Sequence, residues 1–327
     1  MPSTFAGPLV AGIDLGGTKV LAGVVDAEHR VLGRAKRVTP AKEGASAILA
    51  VMLDALAEAL SEAGVPAGQL AGLGIGSPGP LDTEAGVILF SPNLNVKNFA
   101  LGPDIAKAIG RPVLVQNDVR VGGYGEFRLG AGRGFKDLIV AFVGTGIGGC
   151  FIKDGAIVKG HTGNAGEVGH IIVKAGGPKC GCGSRGCLEA LASKTAIARR
   201  VTKMIKRGIP TALKSKVDQK TGRLKSKELS AAMMAGDVVA IEEIHRAAHF
   251  LGLGLASLIN VIGPQVVIIG GGVANALGAP YLDLVRASTR PHTLADREGK
   301  IAIVAGTLGD DAAILGGALL ARERFAN

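Results

Sequence analysis

The chain has 327 residues, of which 47% are hydrophobic, 3% aromatic and none Trp, so it is long enough for two domains or one large one with a core of Val, Ile, Leu and Ala. No apolar run reaches the roughly 18 residues of a membrane span, and the N-terminus MPSTFAGPLVAGIDLGG lacks the basic start of a secretory leader, so neither a membrane anchor nor export is expected. The net charge of +10 is local: eleven basic residues between Arg199 and Lys227 face one acid, Asp218, and the absence of interleaved aromatics argues against nucleic acid as the partner.

Residues 8–13, 20–26 and 31–38 read as strands, with Asp14-Leu15-Gly16-Gly17-Thr18-Lys19 as the turn of a hairpin. Backbone N–H groups in such a turn, with Thr18, can meet phosphate oxygens, and Asp14 can hold a magnesium ion through water. An ordinary hairpin turn has the same composition. Apolar spacing predicts a helix over 44–63 ended by Gly64. Strands follow at 71–76 and 87–90. In the polar loop SPNLNVKNF, Asn93, Asn95 and Asn98 are either hydroxyl ligands or turn residues. A helix over 102–109, a strand over 113–116 and a helix over 119–129 come next, with Asp118 as the expected N-cap.

The strand 138–143 runs into Gly144-Thr145-Gly146-Ile147-Gly148-Gly149 and a second strand, CFIKD. Gly144, Gly146 and Gly149 spell G-x-G-x-x-G, as do Gly74, Gly76 and Gly79. That fingerprint requires a helix next and neither has one, which excludes a dinucleotide site. VAGIDLGGTKVLAGVVD and LIVAFVGTGIGGCFIKD are both strand, glycine turn, strand, as if one phosphate-approaching module were used twice. Cys150 on the second hairpin reads as a small core residue.

Residues 161–189 carry the other three cysteines, in the spacing H-x9-C-x-C-x4-C. Cys180 and Cys182 are too close to pair easily as a disulfide. Three thiolates and an imidazole make the donor set of a closed structural zinc site. His170 is the expected fourth ligand and His161 its rival. Glu167 and Glu189 flank the cluster, where they can grip a polar ligand. Helices are expected at 193–206, 227–235 and 237–262. The strand 265–269 opens into Gly270-Gly271-Gly272 and a helix, a plausible nucleotide turn. A strand at 301–304 and a helix at 310–321 end the chain. Alternating strands and helices predict an α/β fold, the paired hairpins predict two lobes with a cleft, and no Walker A motif is present.

DLGGTK, QND before a helix, GTGIGG, GEVGH, CGCGSRGCLE and GGGVA, in this order, resemble the ROK family of bacterial sugar kinases and sugar-responsive repressors, within the hexokinase–actin superfamily. CGCGSRGCLE with GEVGH is highly specific, whereas DLGGTK is shared across the superfamily. The resemblance implies a two-lobed actin-like, ribonuclease H-like fold with a central cleft and a zinc-binding loop at 161–189. Residues 1–118 and the C-terminal helix 310–327 would form the smaller lobe, and 119–309 the larger. It implies ATP-dependent phosphorylation of a hexose, glucose foremost, with Asp118 as general base. Asn93, Asn117, Asp118, Glu167, His170 and Glu189 match sugar contacts. His170, Cys180, Cys182 and Cys187 match zinc ligands. Asp14, Gly16, Gly17, Thr18 and Lys19, with Gly144, Thr145 and Gly146, match the phosphate motifs and their Mg2+-ordering acid. Gly271 and Gly272 match the adenosine motif.

The resemblance leaves a kinase for N-acetylmannosamine or fructose, a polyphosphate donor, or a sugar-responsive regulator as alternatives. Family regulators carry a winged helix before the first hairpin, and with that hairpin beginning near residue 8 none is expected here. Val96 stands where family glucokinases commonly carry Trp. The clustered cysteines fit a reducing cytoplasm, and the resemblance implies a homodimer or higher homo-oligomer.

Overall fold

The computed structural model describes residues 7–218, 220–294, 296 and 298–326. The chain folds as two compact units, one of Met1–Arg133, Gly160–Asn164 and Asp310–Asn327, the other of Gly134–Lys159 and Ala165–Gly309.

In the first unit, β1 (Leu9–Leu15), β2 (Lys19–Val25) and β3 (Val31–Val38) form an antiparallel run, followed by α1 (Ala45–Ala63) and β4 (Leu70–Ser77). β1 is buried along nearly its whole length, as a central strand covered on both faces must be. Ile48, Met52, Ala55, Leu56 and Ala59 recur at helical spacing and bury one side of α1, and Gly64 ends it at φ 67°. Next come β5 (Leu81–Asp82), β6 (Val87–Ser91) and β7 (Val96–Phe99), a small antiparallel sheet. β7 occupies the stretch expected to be loop. Only its end residues Val96 and Phe99 are buried, so no two-residue alternation announces it. Asn95 and Asn98 take left-handed backbone at φ 53° and 50°, as asparagine does more readily than most residues.

α2 (Leu101–Ile109), β8 (Val113–Asn117) and α3 (Asp118–Leu129) complete the unit's N-terminal part, with sheet order β3-β2-β1-β4-β8. α3 lies in this unit, beyond the boundary at 118 read from the sequence. Its Gly125 packs against the backbone of Ala312 in the C-terminal helix, too close for any side chain. The Arg120 guanidinium donates to the Gly163 carbonyl and so ties in residues 160–164.

The second unit opens with β9 (Leu138–Val143), β10 (Ile147–Lys153) and β11 (Ala156–Ile157). Then follow α4 (Leu188–Ala192), α5 (Lys194–Lys206), α6 (Ser226–Met234) and α7 (Val238–Ile262). β12 (Val266–Gly270), α8 (Gly271–Thr289) and β13 (Ala302–Ala305) close it, and α9 (Asp311–Phe325) returns to the first unit. Its sheet order is β11-β10-β9-β12-β13. β9 pairs antiparallel with β10 and parallel with β12, as β1 pairs with β2 and β4. The repetition seen in two glycine hairpins therefore extends to whole sheets. Each unit has its own apolar core, around Ile13, Leu56 and Ile75 in the first and Ile139, Leu251 and Val267 in the second. Cys150 is buried, as expected. Among the described residues no helix is long and apolar enough to cross a membrane.

Candidate active site and metal centre

In the first unit, the hairpin turn is closed by the Gly16 N–H on the Lys19 carbonyl at 2.9 Å. Thr39 braces it from β3's far end: its hydroxyl donates to the Gly16 carbonyl at 2.7 Å and its N–H to the Thr18 carbonyl at 3.1 Å. Gly17 faces Asn93, whose Cβ would lie 3.4 Å from a side chain placed there. Asp14 is the last residue but one of the turn's incoming strand, β1. Burial, then the charges of Asp118 and Asp310, push its carboxyl up to about 7 against the pull of Lys19. Lys19 pairs with Asp310 at 2.8 Å. Asp118 and Asp310 thus lie close enough to Asp14 to raise it, an acidic cluster at the turn that fits a divalent cation. Thr39 and Asp310 were missed from the sequence, since each reaches the turn across a long chain separation.

The structure corrects one assignment. The N-cap of α3 is Asn117, not Asp118: Asn117 has extended backbone at φ −59° and ψ 134°, and its Oδ1 accepts from the Arg120 N–H at 3.1 Å. Asp118 is already the first helical residue. Its Oδ1 accepts from the Val119 N–H at 2.9 Å and from Asn117 Nδ2 at 3.1 Å. Cap and carboxylate are therefore separate jobs on neighbouring residues.

In the second unit, His170, Cys180, Cys182 and Cys187 bring their donor atoms within 4.8 Å of one another. Cys182 and Cys187 Sγ lie 3.7 Å apart, and Cys180 Sγ lies 3.8 Å from His170 Nδ1. A tetrahedral ion with metal–sulfur bonds of about 2.3 Å needs an edge of about 3.8 Å between sulfurs, so the set has the size zinc requires. His161 is outside it, in the first unit. Burial pushes the Cys187 thiol up to about 12 and raises Cys180, whereas the Ser184 backbone N–H brings Cys182 down to about 7. Crowded thiols of this kind release their protons to a cation. The loop is held by the Cys180 N–H on the Ser184 carbonyl at 2.8 Å and the Leu188 N–H on the Ile171 carbonyl at 2.9 Å. Glu167 lies exposed one residue before a single helical turn, Val168–His170.

Glu189 joins this loop to the second glycine turn. Its Oε2 accepts from the Ile147 N–H at 3.0 Å, and its Oε1 lies 3.8 Å from Cys180 Sγ. Gly146 must be glycine for this, since any Cβ there would collide with the carboxylate. The start of α5 holds the same turn from below: the Lys194 N–H donates to the Gly144 carbonyl at 3.0 Å and the Thr195 hydroxyl to the Thr145 carbonyl at 2.8 Å. Gly271, at φ 88°, rests on the backbone of Val143 at the end of β9, which brings the adenosine-type turn beside the phosphate-type turn.

A family model described as the ROK family matches residues 10–324. The glucokinase of Thermotoga maritima is 34% identical over 315 residues, 96% of this chain and 97% of that protein. The crystal structure of a ROK family glucokinase from Streptomyces griseus in complex with glucose and AMPPNP has a TM-score of 0.84 at 35% identity, covering 96% of this chain and 99% of that one. A ROK family transcriptional regulator, a homolog of the E. coli MLC protein, has a TM-score of 0.82 at 29% identity, covering 98% of this chain and 79% of the regulator.

Proposed function

This chain belongs to the ROK family, with that family's actin-like two-lobed α/β fold, and from this premise we propose that it transfers a phosphoryl group from ATP to a hexose, glucose foremost. The observation that carries the reading is the cluster of Asp14, Asp118 and Asp310 at the first glycine turn. The glucose and AMPPNP bound by the S. griseus relative support the substrate pair.

Phosphoryl transfer asks a protein mainly for positioning and charge stabilisation. The attacking sugar hydroxyl must also lose its proton, and Asp118 accepts it. The Val119 N–H and the Asn117 amide hold one oxygen of that carboxylate in place. Asn93, Asn117, Glu167, His170 and Glu189 contact the sugar hydroxyls. N–H groups of the Gly16–Gly17–Thr18 and Gly144–Thr145–Gly146 turns meet the phosphates, Lys19 adds charge, and Gly271 and Gly272 receive the adenosine. Asp14 would hold the Mg2+ that accompanies ATP, which neutralises phosphate charge. His170, Cys180, Cys182 and Cys187 would hold a Zn2+ that braces the sugar-contact loop. His170 meets the cluster through Nδ1, which leaves Nε2 for the substrate. A reducing cytoplasm suits the free thiols, and a homodimer or larger homo-oligomer is the proposed assembly.

The test is sugar-phosphate formation over a panel of glucose, fructose and N-acetylmannosamine, with ATP as donor and polyphosphate as its rival. Formation with glucose is expected, and no transfer to any sugar sinks the kinase reading. Asp118→Asn should lower turnover by roughly 10²–10⁴-fold; near-normal turnover removes Asp118 as the base. The likeness to a transcriptional regulator favours a second reading, sugar-dependent DNA binding. A salt-dependent gel shift decides it.

A further inference from the structure

Glu189 stands on α4, a helix of five residues. So short a helix has no stability of its own in water. Its Glu189 carboxylate is nonetheless engaged at both oxygens, by the Ile147 N–H and beside Cys180 Sγ. The anchors of α4 therefore decide where that carboxylate stands. At the entry, the Leu188 N–H donates to the Ile171 carbonyl at 2.9 Å. Leu188 also lies over Gly254 of α7, where a Cβ would be 2.9 Å from its Cδ2. At the exit, the last carbonyls of a helix lack partners within it. Here two guanidinium groups supply them. Arg199 Nη2, from α5, donates to the Ala190 carbonyl at 2.8 Å, and Arg246 Nη2, from α7, donates to the Leu191 carbonyl at 3.1 Å.

Arg246 does a second job with the same fork. Its Nε donates to Glu243 Oε2 at 2.8 Å, one turn earlier on α7. Glu243 is buried and also takes Arg200 Nε at 2.8 and 2.6 Å. A buried carboxylate must be paired, so Glu243 holds the Arg246 guanidinium in one orientation, with its Nη2 on α4. Arg246, Phe250 and Gly254 recur every four residues and so share one face of α7. The Phe250 ring centre lies 5.8 Å from the Arg246 guanidinium carbon and 6.0 Å from Nζ of Lys174, in the loop between His170 and Cys180. One face of α7 thus supports both the metal loop and α4.

We propose that Arg246, oriented by Glu243, is a positioning residue for Glu189: it fixes the exit of α4 and so sets the Glu189 carboxylate where it meets the sugar and the Ile147 N–H. The sugar in this assignment rests on the kinase reading.

Amide exchange and glucose kinetics on the full chain test it. Arg246→Met keeps the aliphatic stem and leaves Glu243 paired with Arg200. It should speed exchange of the Ile147 amide about tenfold, while Val267 in the core of the same unit keeps its protection. The glucose KM should rise about tenfold, the scale of one charged hydrogen bond, with kcat within about threefold. Arg246→Lys keeps a cation beside Glu243 but not the fork, and it should shift both readouts the same way without loss of fold. A residue that acts only through Glu189 has nothing left to act on once Glu189 is gone. In a Glu189→Ala background, Arg246→Met should therefore change the glucose KM by less than about twofold. A full tenfold rise in that background overturns the proposal, because Arg246 would then act through the fold at large. Wild-type exchange at Ile147 in both variants, or faster exchange with an unchanged KM, also overturns it. If the wild type phosphorylates no sugar but Ile147 exchange still depends on Arg246, the kinase reading fails and the positioning of Glu189 stands.

Discussion

Asp14 carries its proton well above the ordinary aspartate value of 3.8, up to about 7. Below pH 3.8 both folded and unfolded chains are protonated there, so the residue costs nothing. Between 3.8 and 7 the unfolded chain ionises and the folded one does not, so stability falls as pH rises through that window and levels off above it. Asp118 is the second cause of the shift, after burial. Asp118→Asn should therefore flatten the decline in melting temperature between pH 4 and 7; an unchanged slope would show that the two carboxyls do not interact. The neighbouring residue has a different signature. Asn117→Ala removes the cap of α3 and should cost about 1 kcal/mol in denaturant unfolding. Asp118→Asn leaves that cap in place, so its loss of turnover is separable from any loss of fold.

α9 meets β1, β4 and α3 through glycine. Cβ atoms on Gly12 and Gly74 would fall inside contact with the carbonyls of Ile314 and Gly317, and one on Gly316 would strike the Val121 carbonyl. Replacing Gly316 by Ala gains about 1 kcal/mol of helix propensity. It also forces two backbones apart, an overpacking cost of about 1–3 kcal/mol. The melting temperature should fall, and a rise would mean that α9 stands off α3. None of this was legible in the sequence, where a Gly-Gly pair inside a helix reads only as a weakness. What was legible had a local cause. Both hairpins announced themselves by strand periodicity around a glycine turn, and the metal loop by the spacing of Cys180, Cys182 and Cys187. β7 gave no period, Asn117 hid behind the more obvious Asp118, and Thr39 and Asp310 reach the first turn only in three dimensions.

The two sheets share one strand order, yet each unit closes its own core, so damage in one need not spread to the other. The Cys-His loop is the test of that independence. Cys180 and Cys187 are buried while Cys182 is exposed. Cys182→Ser therefore removes a proposed metal ligand with little loss of packing. Zinc content should fall, and amide protection should drop over residues 170–189 while Ile13 and Ile75 in the first unit keep theirs. Chelation of wild type should do the same. Burial raises the Cys187 and Cys180 thiols further above their ordinary value, so zinc uptake must displace their protons, and zinc affinity should weaken as the pH falls. Because Glu189 runs from this loop to the Ile147 N–H, metal loss should also loosen the second glycine turn and weaken ADP. Retention of one zinc per chain by the Ser variant would remove Cys182 as a ligand. Loss of protection at Ile13 would show that the two units unfold as one.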